Sequence, residues 1–217
     1  QDFGFGTAVA LAPGLRSAEG ELPDPETLTD SNGGQLAMFA FGQGALTVTP
    51  LQIAAMMNAI AGDGTWYPPQ LVAGIIEQES LTMLEPFVSA DPVRVCDADT
   101  ARILRSMLID VVAEGIGRQA APQAGGAGGK TGTAQTGQYT EAGEELLNYW
   151  FSGFWPAENP RYTITVLQDA VLEPEVSSAA IFAEVANNLL ALEGGAELQN
   201  QPRPGMTIQT GETAENG

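Results

Sequence analysis

The sequence predicts an α+β fold in which an antiparallel sheet is flanked by helices. Two strand-like runs occur in "NYWFSGFWPAENPRYTITVLQD", and only the turn-forming residues 156–160, Pro-Ala-Glu-Asn-Pro, separate them. So short a connection makes the two strands antiparallel. Apolar residues recur at helical spacing in other segments, and a chain of 217 residues with 44% hydrophobic content can fill the core of one ordinary domain.

The first third of the chain contains a polar loop and then a helix. The stretch from Ala12 to Gly34 is rich in Pro, Gly, Asp and Glu, which predicts a long loop. A helix is expected to begin after Thr49, because threonine can cap it, Pro50 suits the first helical position and Gln52 completes a capping box. Its apolar run ends at Gly62.

A second helix is predicted from about Asp97 to Glu114, with Gly115 as its stop signal. Six apolar residues recur on one of its faces, which we expect to be buried: Ile103, Leu104, Met107, Leu108, Val111 and Val112.

The two strand-like runs differ in pattern. The first is apolar on both faces, which favours a central strand covered above and below, and four of its aromatic side chains are expected in the core: Trp150, Phe151, Phe154 and Trp155. In the second run, Tyr162, Ile164 and Val166 alternate with threonines, which is typical of a partner strand. A third helix is predicted from Ser177 or Ser178 to Leu192, and residues 194–217 are expected to form a polar, flexible tail.

The composition excludes several classes of function. A formal net charge of -19, with only eight lysines and arginines, disfavours binding to nucleic acid or to anionic membrane surfaces. There is no histidine, which rules out Ser-His-Asp and Cys-His catalysis and disfavours a zinc site, so no metal or cofactor is predicted. Cys96, the only cysteine, is interpreted as a small buried apolar group.

Lys130 is the only lysine, and it lies in the glycine-rich stretch "AGGAGGKTGT". The sequence of this stretch is similar to that of a phosphate-binding loop, but such a loop follows a buried strand and begins a helix. The preceding "GRQAAPQA" is a poor core strand, and the following "TGTAQTGQYT" favours extended structure over helix. The flanks therefore argue against a nucleotide site, and a lone lysine among small residues favours another function.

Three blocks of the sequence resemble the transpeptidase domain of class B penicillin-binding proteins, a family of the serine β-lactamase-like superfamily. These are "FGQGALTVTPLQIAAMMNAIAGDGTWYPPQLV", "GGKTGTAQT" and "WFSGFWPAENPRYTITVLQD", in the order that the family has them. The resemblance implies a β-lactamase/transpeptidase-like fold with the Lys-Thr-Gly motif on an edge strand. Residues 1–193 would be the C-terminal portion of such a domain.

The resemblance also implies the chemistry. Such enzymes cross-link peptidoglycan stem peptides by transferring an acyl group from a D-alanyl-D-alanine terminus through an acyl-serine, and β-lactams acylate the same serine. Lys130 and Thr133 are carried over as catalytic residues, Lys130 beside the nucleophile and the Thr133 N–H in an oxyanion hole. Thr131, Gly132 and Thr133 are carried over as substrate-binding residues. The parent protein would be anchored at the extracytoplasmic face of a bacterial cell membrane.

The sequence departs from the family in one large respect. It contains neither Ser-x-x-Lys, which carries the nucleophile, nor Ser-x-Asn. We therefore expect three strands here, around residues 129–136 and 148–169, with two further strands and the serine-bearing helix missing. The last strand's edge and the helix faces would then be incompletely covered. The expected partners are stem peptides, β-lactams and the missing N-terminal half of the domain. Alternatives are a β-lactamase, a β-lactam sensor, or a non-catalytic binding or scaffold domain of this fold.

Overall fold

The computed structural model describes residues 2–26, 28, 34–88 and 90–193. In these parts of the chain, four α-helices, nine strands and one short 3-10 helix follow one another. They are β1 (Ala10–Ala12), β2 (Leu15–Arg16), α1 (Gly34–Ala40), α2 (Pro50–Ala61), β3 (Thr65–Trp66), β4 (Gly74–Ile76), β5 (Met83–Pro86), β6 (Val93–Arg94), α3 (Ala98–Ala113), the 3-10 helix (Arg118–Ala120), β7 (Gly128–Tyr139), β8 (Glu145–Trp155), β9 (Tyr162–Val171) and α4 (Ser178–Leu192). No helix among the described residues is long and apolar enough to cross a membrane.

The main sheet is antiparallel and has the order β7-β8-β9. Gly128 lies opposite Phe154 at one end of the first pair, and Trp155 lies opposite Tyr162 in the second. The three predicted strands and the central place of β8 are therefore confirmed. Among the described residues β9 pairs only with β8, so its other edge is free, as expected.

The sheet lies between α4 on one face and α2 on the other. Phe151 and Trp155 of β8 are fully buried against α4, where the rings of Phe151 and Phe182 meet edge to face with centroids 4.9 Å apart. Phe154 points to the opposite face, as strand alternation requires, and packs against Met57 of α2. Both faces of β8 are thus apolar because both are covered by helices.

The start of α2 follows the local sequence signals. Thr49 accepts a hydrogen bond from the backbone N–H of Gln52 (3.1 Å), and the Gln52 side chain accepts one from the Thr49 N–H (2.9 Å). This is the predicted capping box, with Pro50 in the first turn. The Gln52 amide is also buried and donates to the carbonyls of Gly4 and Glu19, at 3.0 and 2.8 Å. One side chain therefore begins the helix and attaches the N-terminal segment to it.

The expected burial of one α3 face is wrong for half of its residues. Asp97 caps the helix, and its hydrogen bonds with Thr100 hold the pKa of the Asp97 carboxyl below its usual value. Val112 is buried, and Leu108 packs beside α2, but three residues of the predicted face are exposed: Ile103, Leu104 and Met107. Only the C-terminal half of α3 reaches the sheet. The amphipathic pattern is real, but the described elements leave the surface formed by Ile103, Leu104 and Met107 exposed, whereas Ala101 in the first turn is fully buried.

Three further expectations need correction. The predicted loop at residues 12–34 contains a strand, since β2 pairs with β1. Cys96 is half-buried rather than buried. Trp150 is also half-buried and borders a pocket, whereas the other three aromatic residues of β8 lie in the core. The predicted tail at residues 194–217 lies outside the described residues.

Candidate active site

The four predicted site residues lie on β7, an edge strand. Among the described residues β7 pairs with β8 alone, and the pairing runs without interruption from Gly128 to Gln135. Two glycines let the strand approach the core, because a Cβ atom on Gly129 would lie 2.6 Å from the Phe151 ring and one on Gly128 would clash with the Phe154 ring. In "GGKTGT" the first two glycines are thus buried, Thr131 is half-buried, and Lys130, Gly132 and Thr133 are exposed.

Lys130 is exposed at the edge of the sheet. Its ammonium donates a hydrogen bond to the Thr131 carbonyl at 2.8 Å and lies 3.5 Å from the Thr131 hydroxyl. Its cross-strand neighbour is Ser152, which is buried and whose hydroxyl lies 2.8 Å from that of Thr165. The ammonium and the Thr131 hydroxyl therefore reach the same point on the strand edge, where they could bind one anionic group together.

The open edge of β7 also presents backbone groups. Along an antiparallel strand, the N–H and C=O of one residue point to the same side, and the side alternates from one residue to the next. The Thr131 carbonyl, which accepts from the Lys130 side chain, belongs to the side away from β8. Two residues further, the Thr133 N–H faces the same open edge. It can therefore donate to a group that lies along the strand.

A pocket of about 720 Å³ lies over the face of the sheet formed by β7 and β8, beside α2. Lys130, Thr131, Gly132 and Thr133 all border it. Half of the other lining residues have a large apolar or aromatic side chain: Phe5, Leu22, Phe39, Phe41, Leu46, Val48, Ile53, Met56, Met57 and Trp150. Among the described residues that line it, Lys130 alone is charged, although the whole chain carries a net charge of -19. The described wall therefore presents a single positive charge on a largely apolar surface, a setting that favours a ligand with one carboxylate.

The far wall of the pocket comes from residues that the sequence reasoning did not select. Phe5 and Leu22 belong to the N-terminal segment, which an isolated bridge between Glu21 and Thr47 attaches to the stretch before α2. The Gln52 amide holds the same segment through its two carbonyl contacts. The "TPLQ" signal could have suggested that Gln52 matters beyond the cap, whereas no local signal marks Phe5 or Leu22 as wall residues.

In the part of the chain that the structure describes, no serine that borders the pocket is available as a nucleophile. Ser152 is the one serine among the described residues that line it, and it is 5% exposed with its hydroxyl engaged by Thr165. The geometry can bind and polarise a ligand. It needs a nucleophile from elsewhere to perform acyl transfer.

A family model described as the penicillin-binding protein transpeptidase domain matches residues 1–191. The chain belongs to this family. The match confirms the resemblance carried by the three sequence blocks, and it spans every described helix and strand except the last residue of α4. The pocket beside Lys130 is therefore a pocket of a transpeptidase-family domain.

Named relatives and a solved structure support the same assignment. The chain is 36% identical over 225 residues to penicillin-binding protein PbpB of Mycolicibacterium smegmatis, covering 95% of this chain and 33% of that protein. It is 30% identical to peptidoglycan D,D-transpeptidase MrdA of Acinetobacter baumannii, covering 77% of this chain and 27% of that protein. A crystal structure of penicillin-binding protein 3 from Mycobacterium tuberculosis in complex with ampicillin has 30% identity and a TM-score of 0.71, covering 95% of this chain and 46% of that one.

These comparisons confirm the predicted fold class. They also show that the chain spans about a third of the length of the first of these relatives and less than half of the solved chain.

Proposed function

We propose that residues 1–193 are the C-terminal portion of a peptidoglycan D,D-transpeptidase domain that binds stem peptides and β-lactams. The observation that carries the proposal is the placement of the Lys-Thr-Gly sequence on an open strand edge, beside an apolar pocket in whose described lining Lys130 is the one charged residue. The D-alanyl-D-alanine end of a stem peptide and the β-lactam antibiotics each carry a carboxylate, which this edge can receive.

Each residue of the motif has a proposed role. The Lys130 ammonium stabilises negative charge beside the nucleophile and assists proton transfer, while the hydroxyls of Thr131 and Thr133 donate to the ligand carboxylate. Gly132 leaves room for a peptide to lie along the edge at backbone hydrogen-bonding distance. The outward-facing Thr133 N–H donates to the oxyanion of the tetrahedral intermediate, and losing one such donor typically costs about 3 kcal/mol of transition-state stabilisation.

The nucleophilic serine comes, in this proposal, from a segment outside these 217 residues. Two apolar surfaces support the proposal that such a segment packs against this chain. They are the exposed apolar side chains of α3 and the pocket wall formed by Ile53, Met56 and Trp150. The serine-bearing element would cover the apolar wall, and the ligand would occupy the polar edge at Lys130. The proposal also places the parent protein at the outer face of the cell membrane, because one relative is named a peptidoglycan D,D-transpeptidase and peptidoglycan lies outside that membrane.

The test is covalent labelling with a fluorescent penicillin. The chain is prepared alone and as one polypeptide with the residues encoded upstream of it, and the labelled residue is located by peptide mass spectrometry. We expect label only on the longer protein, on a serine outside residues 1–217, and loss of label after preincubation with unlabelled ampicillin. Label on a serine within this chain would show that the nucleophile has been misplaced. A longer protein that takes no label would favour a non-catalytic scaffold.

A further inference from the structure

Trp155, at the end of β8, holds the segment from which the Lys130 strand starts. Its indole N–H donates a hydrogen bond of 2.9 Å to the carbonyl of Ala124, six positions before Lys130. The Trp155 side chain is fully buried. Next to it, the Ala157 N–H donates to the Gly125 carbonyl, also at 2.9 Å. The residues at and just after the end of β8 thus donate two hydrogen bonds to the segment that leads into β7.

The orientation of the Trp155 ring is itself supported by neighbours. The Tyr162 ring stacks on it with centroids 6.0 Å apart and an angle of 19° between the planes. The Arg161 guanidinium lies 5.6 Å from the centre of the Tyr162 ring and binds the Glu193 carboxylate at 2.6 Å. Both partners of this ion pair are largely shielded, since their side chains are 18% and 22% exposed. The indole is therefore held in one orientation, with its N–H directed at Ala124.

The start of β7 needs such an anchor because it is rich in glycine. Gly125 and Gly126 adopt positive φ angles of 81° and 58°, and Gly128 and Gly129 follow after Ala127. Glycine-rich strands specify their pairing register weakly, because they have no side chains to distinguish one register from the next. At this end of the strand, register is specified by close approach of the glycines to Phe154 and Phe151 and by the two hydrogen bonds at residues 124 and 125.

Register matters for Lys130 because side chains alternate between the two faces of a sheet. A slip of one residue along β8 would exchange the faces of Lys130 and Thr131 and would turn the Thr133 N–H from the open edge toward β8. A slip would thus displace both proposed catalytic groups together. Their positions depend on a side chain that does not border the pocket, since Trp155 is absent from its lining.

We propose that Trp155 is a positioning residue: its indole N–H, bonded to the Ala124 carbonyl, sets the register in which the strand carrying Lys130 lies on β8. The consequence for acyl transfer rests on the proposed function, whereas the effect on the strand does not.

The chain offers a matched control in a second buried tryptophan. Trp66 is 7% exposed and lies in a separate apolar cluster, and its indole N–H has no hydrogen-bond partner among the described residues. The substitutions Trp155→Phe and Trp66→Phe remove the same atoms from two buried sites. Only the first removes a hydrogen bond. A third variant, with β-(3-benzothienyl)alanine at position 155 alone, replaces the N–H by sulfur and keeps the ring size, so it remains informative if Trp155→Phe does not fold.

The first readout is amide hydrogen exchange of the peptide covering residues 124–134 in the full chain. A net hydrogen bond of about 1 kcal/mol corresponds to a roughly fivefold change in an opening equilibrium, so we expect about fivefold faster exchange there in Trp155→Phe and in the benzothienyl variant. Exchange in Trp66→Phe should remain at the parent rate in this peptide. Unchanged exchange in both position-155 variants, or an equal rise in Trp66→Phe, would overturn the proposal.

The second readout is the kinetics of β-lactam acylation in the longer protein that includes the upstream residues. We expect both position-155 variants to lower the acylation rate constant by more than they weaken the preceding reversible binding, with Trp66→Phe matching the parent. Equal acylation in all four proteins would contradict a role of Trp155 in positioning Lys130. If the parent itself is not acylated, the proposed function fails, while the exchange comparison still decides whether Trp155 sets the strand.

Discussion

Gly129 lies so close to Phe151 that a Cβ atom on it would be 2.6 Å from the ring and 2.8 Å from the Ser152 carbonyl oxygen. Neither neighbour can move easily, because Phe151 is fully buried and the carbonyl belongs to the central strand. Just before Lys130, β7 thus approaches the core to a distance that only glycine permits. Glycine at position 129 of "GGKTG" therefore meets a packing requirement, in addition to the chemical role of the motif.

Gly129→Ala should therefore destabilise the chain by about 1–3 kcal/mol, the usual cost of forcing an extra group into a packed core. Gly132→Ala is the matched control, since its added Cβ would lie 3.4 Å from the Trp150 Cβ, an ordinary contact. Urea unfolding of the two variants and the parent measures the difference. Equal stability of the two variants would mean that β7 can shift away from Phe151 at little cost.

Lys130→Ala should slow acylation by a β-lactam by about 100-fold or more in the protein that includes the upstream residues, because proton transfer and charge stabilisation by such a group contribute about 10²–10⁴-fold. Its stability should change by less than about 0.5 kcal/mol, since the side chain is exposed. Stopped-flow acylation together with thermal unfolding separates the two effects.

Arg102→Ala serves as the control for Lys130→Ala, because it removes another exposed cation, one on α3 that is paired with Asp99 and does not border the pocket. Acylation by this variant should match the parent. A Lys130→Ala protein that is acylated at the parent rate would eliminate the role proposed for Lys130.

Gln52→Glu should be more destabilising than Gln52→Ala. The glutamate keeps an oxygen for the Thr49 N–H, but an ionised carboxylate cannot donate to the Gly4 and Glu19 carbonyls and would face both of them unpaired in a buried site. We expect a loss of about 1–3 kcal/mol for Gln52→Ala and a larger loss for Gln52→Glu at neutral pH. Gln70→Glu, the same change at an exposed position, should be neutral in the same unfolding assay. A glutamate at position 52 that is tolerated as well as alanine would contradict this account of the amide.

Loss of apolar surface should lower the stability much more at one position of α3 than at another. Val112→Ala should cost about 2 kcal/mol of unfolding free energy, because Val112 is 3% exposed in the cluster under β8. Met107→Gln should cost less than about 0.5 kcal/mol in this chain, because Met107 is 57% exposed. Chemical unfolding of both variants measures this contrast. A large loss of stability in Met107→Gln would show that this face of α3 is covered in solution.

Local signals predicted the main elements well. The capping box at Thr49 and Gln52 depends on residues three apart, and its hydrogen bonds formed as expected. The turn at residues 156–160 and the alternation of Tyr162, Ile164 and Val166 likewise depend on near neighbours, and they predicted the antiparallel pair β8 and β9. The roles of Lys130, Thr131, Gly132 and Thr133 stay predictions, although the structure brings all four to one pocket.

Features that depend on distant parts of the chain escaped the sequence reasoning. Helical periodicity showed that α3 is amphipathic, but it carries no information about which element covers Met107. The strands from β1 to β6 are two to four residues long, too short for a propensity signal, and α1 has no buried residue that would produce a periodic pattern. The Gln52 cap was predictable, whereas its bonds to Gly4 and Glu19 join residues 48 and 33 positions apart.

The sequence by itself determined the membership of a transpeptidase family, the three strands around Lys130 and the absence of a Ser-x-x-Lys nucleophile, because these depend on residue identity and on short spacing. Tertiary structure alone decided that Lys130 borders an apolar pocket with no carboxylate among the described residues that line it, and that Trp155 anchors the strand on which Lys130 lies. The physical reason is that capping and alternation arise from the chain's own local geometry, whereas a pocket and a strand register arise from contacts between segments that the sequence keeps far apart.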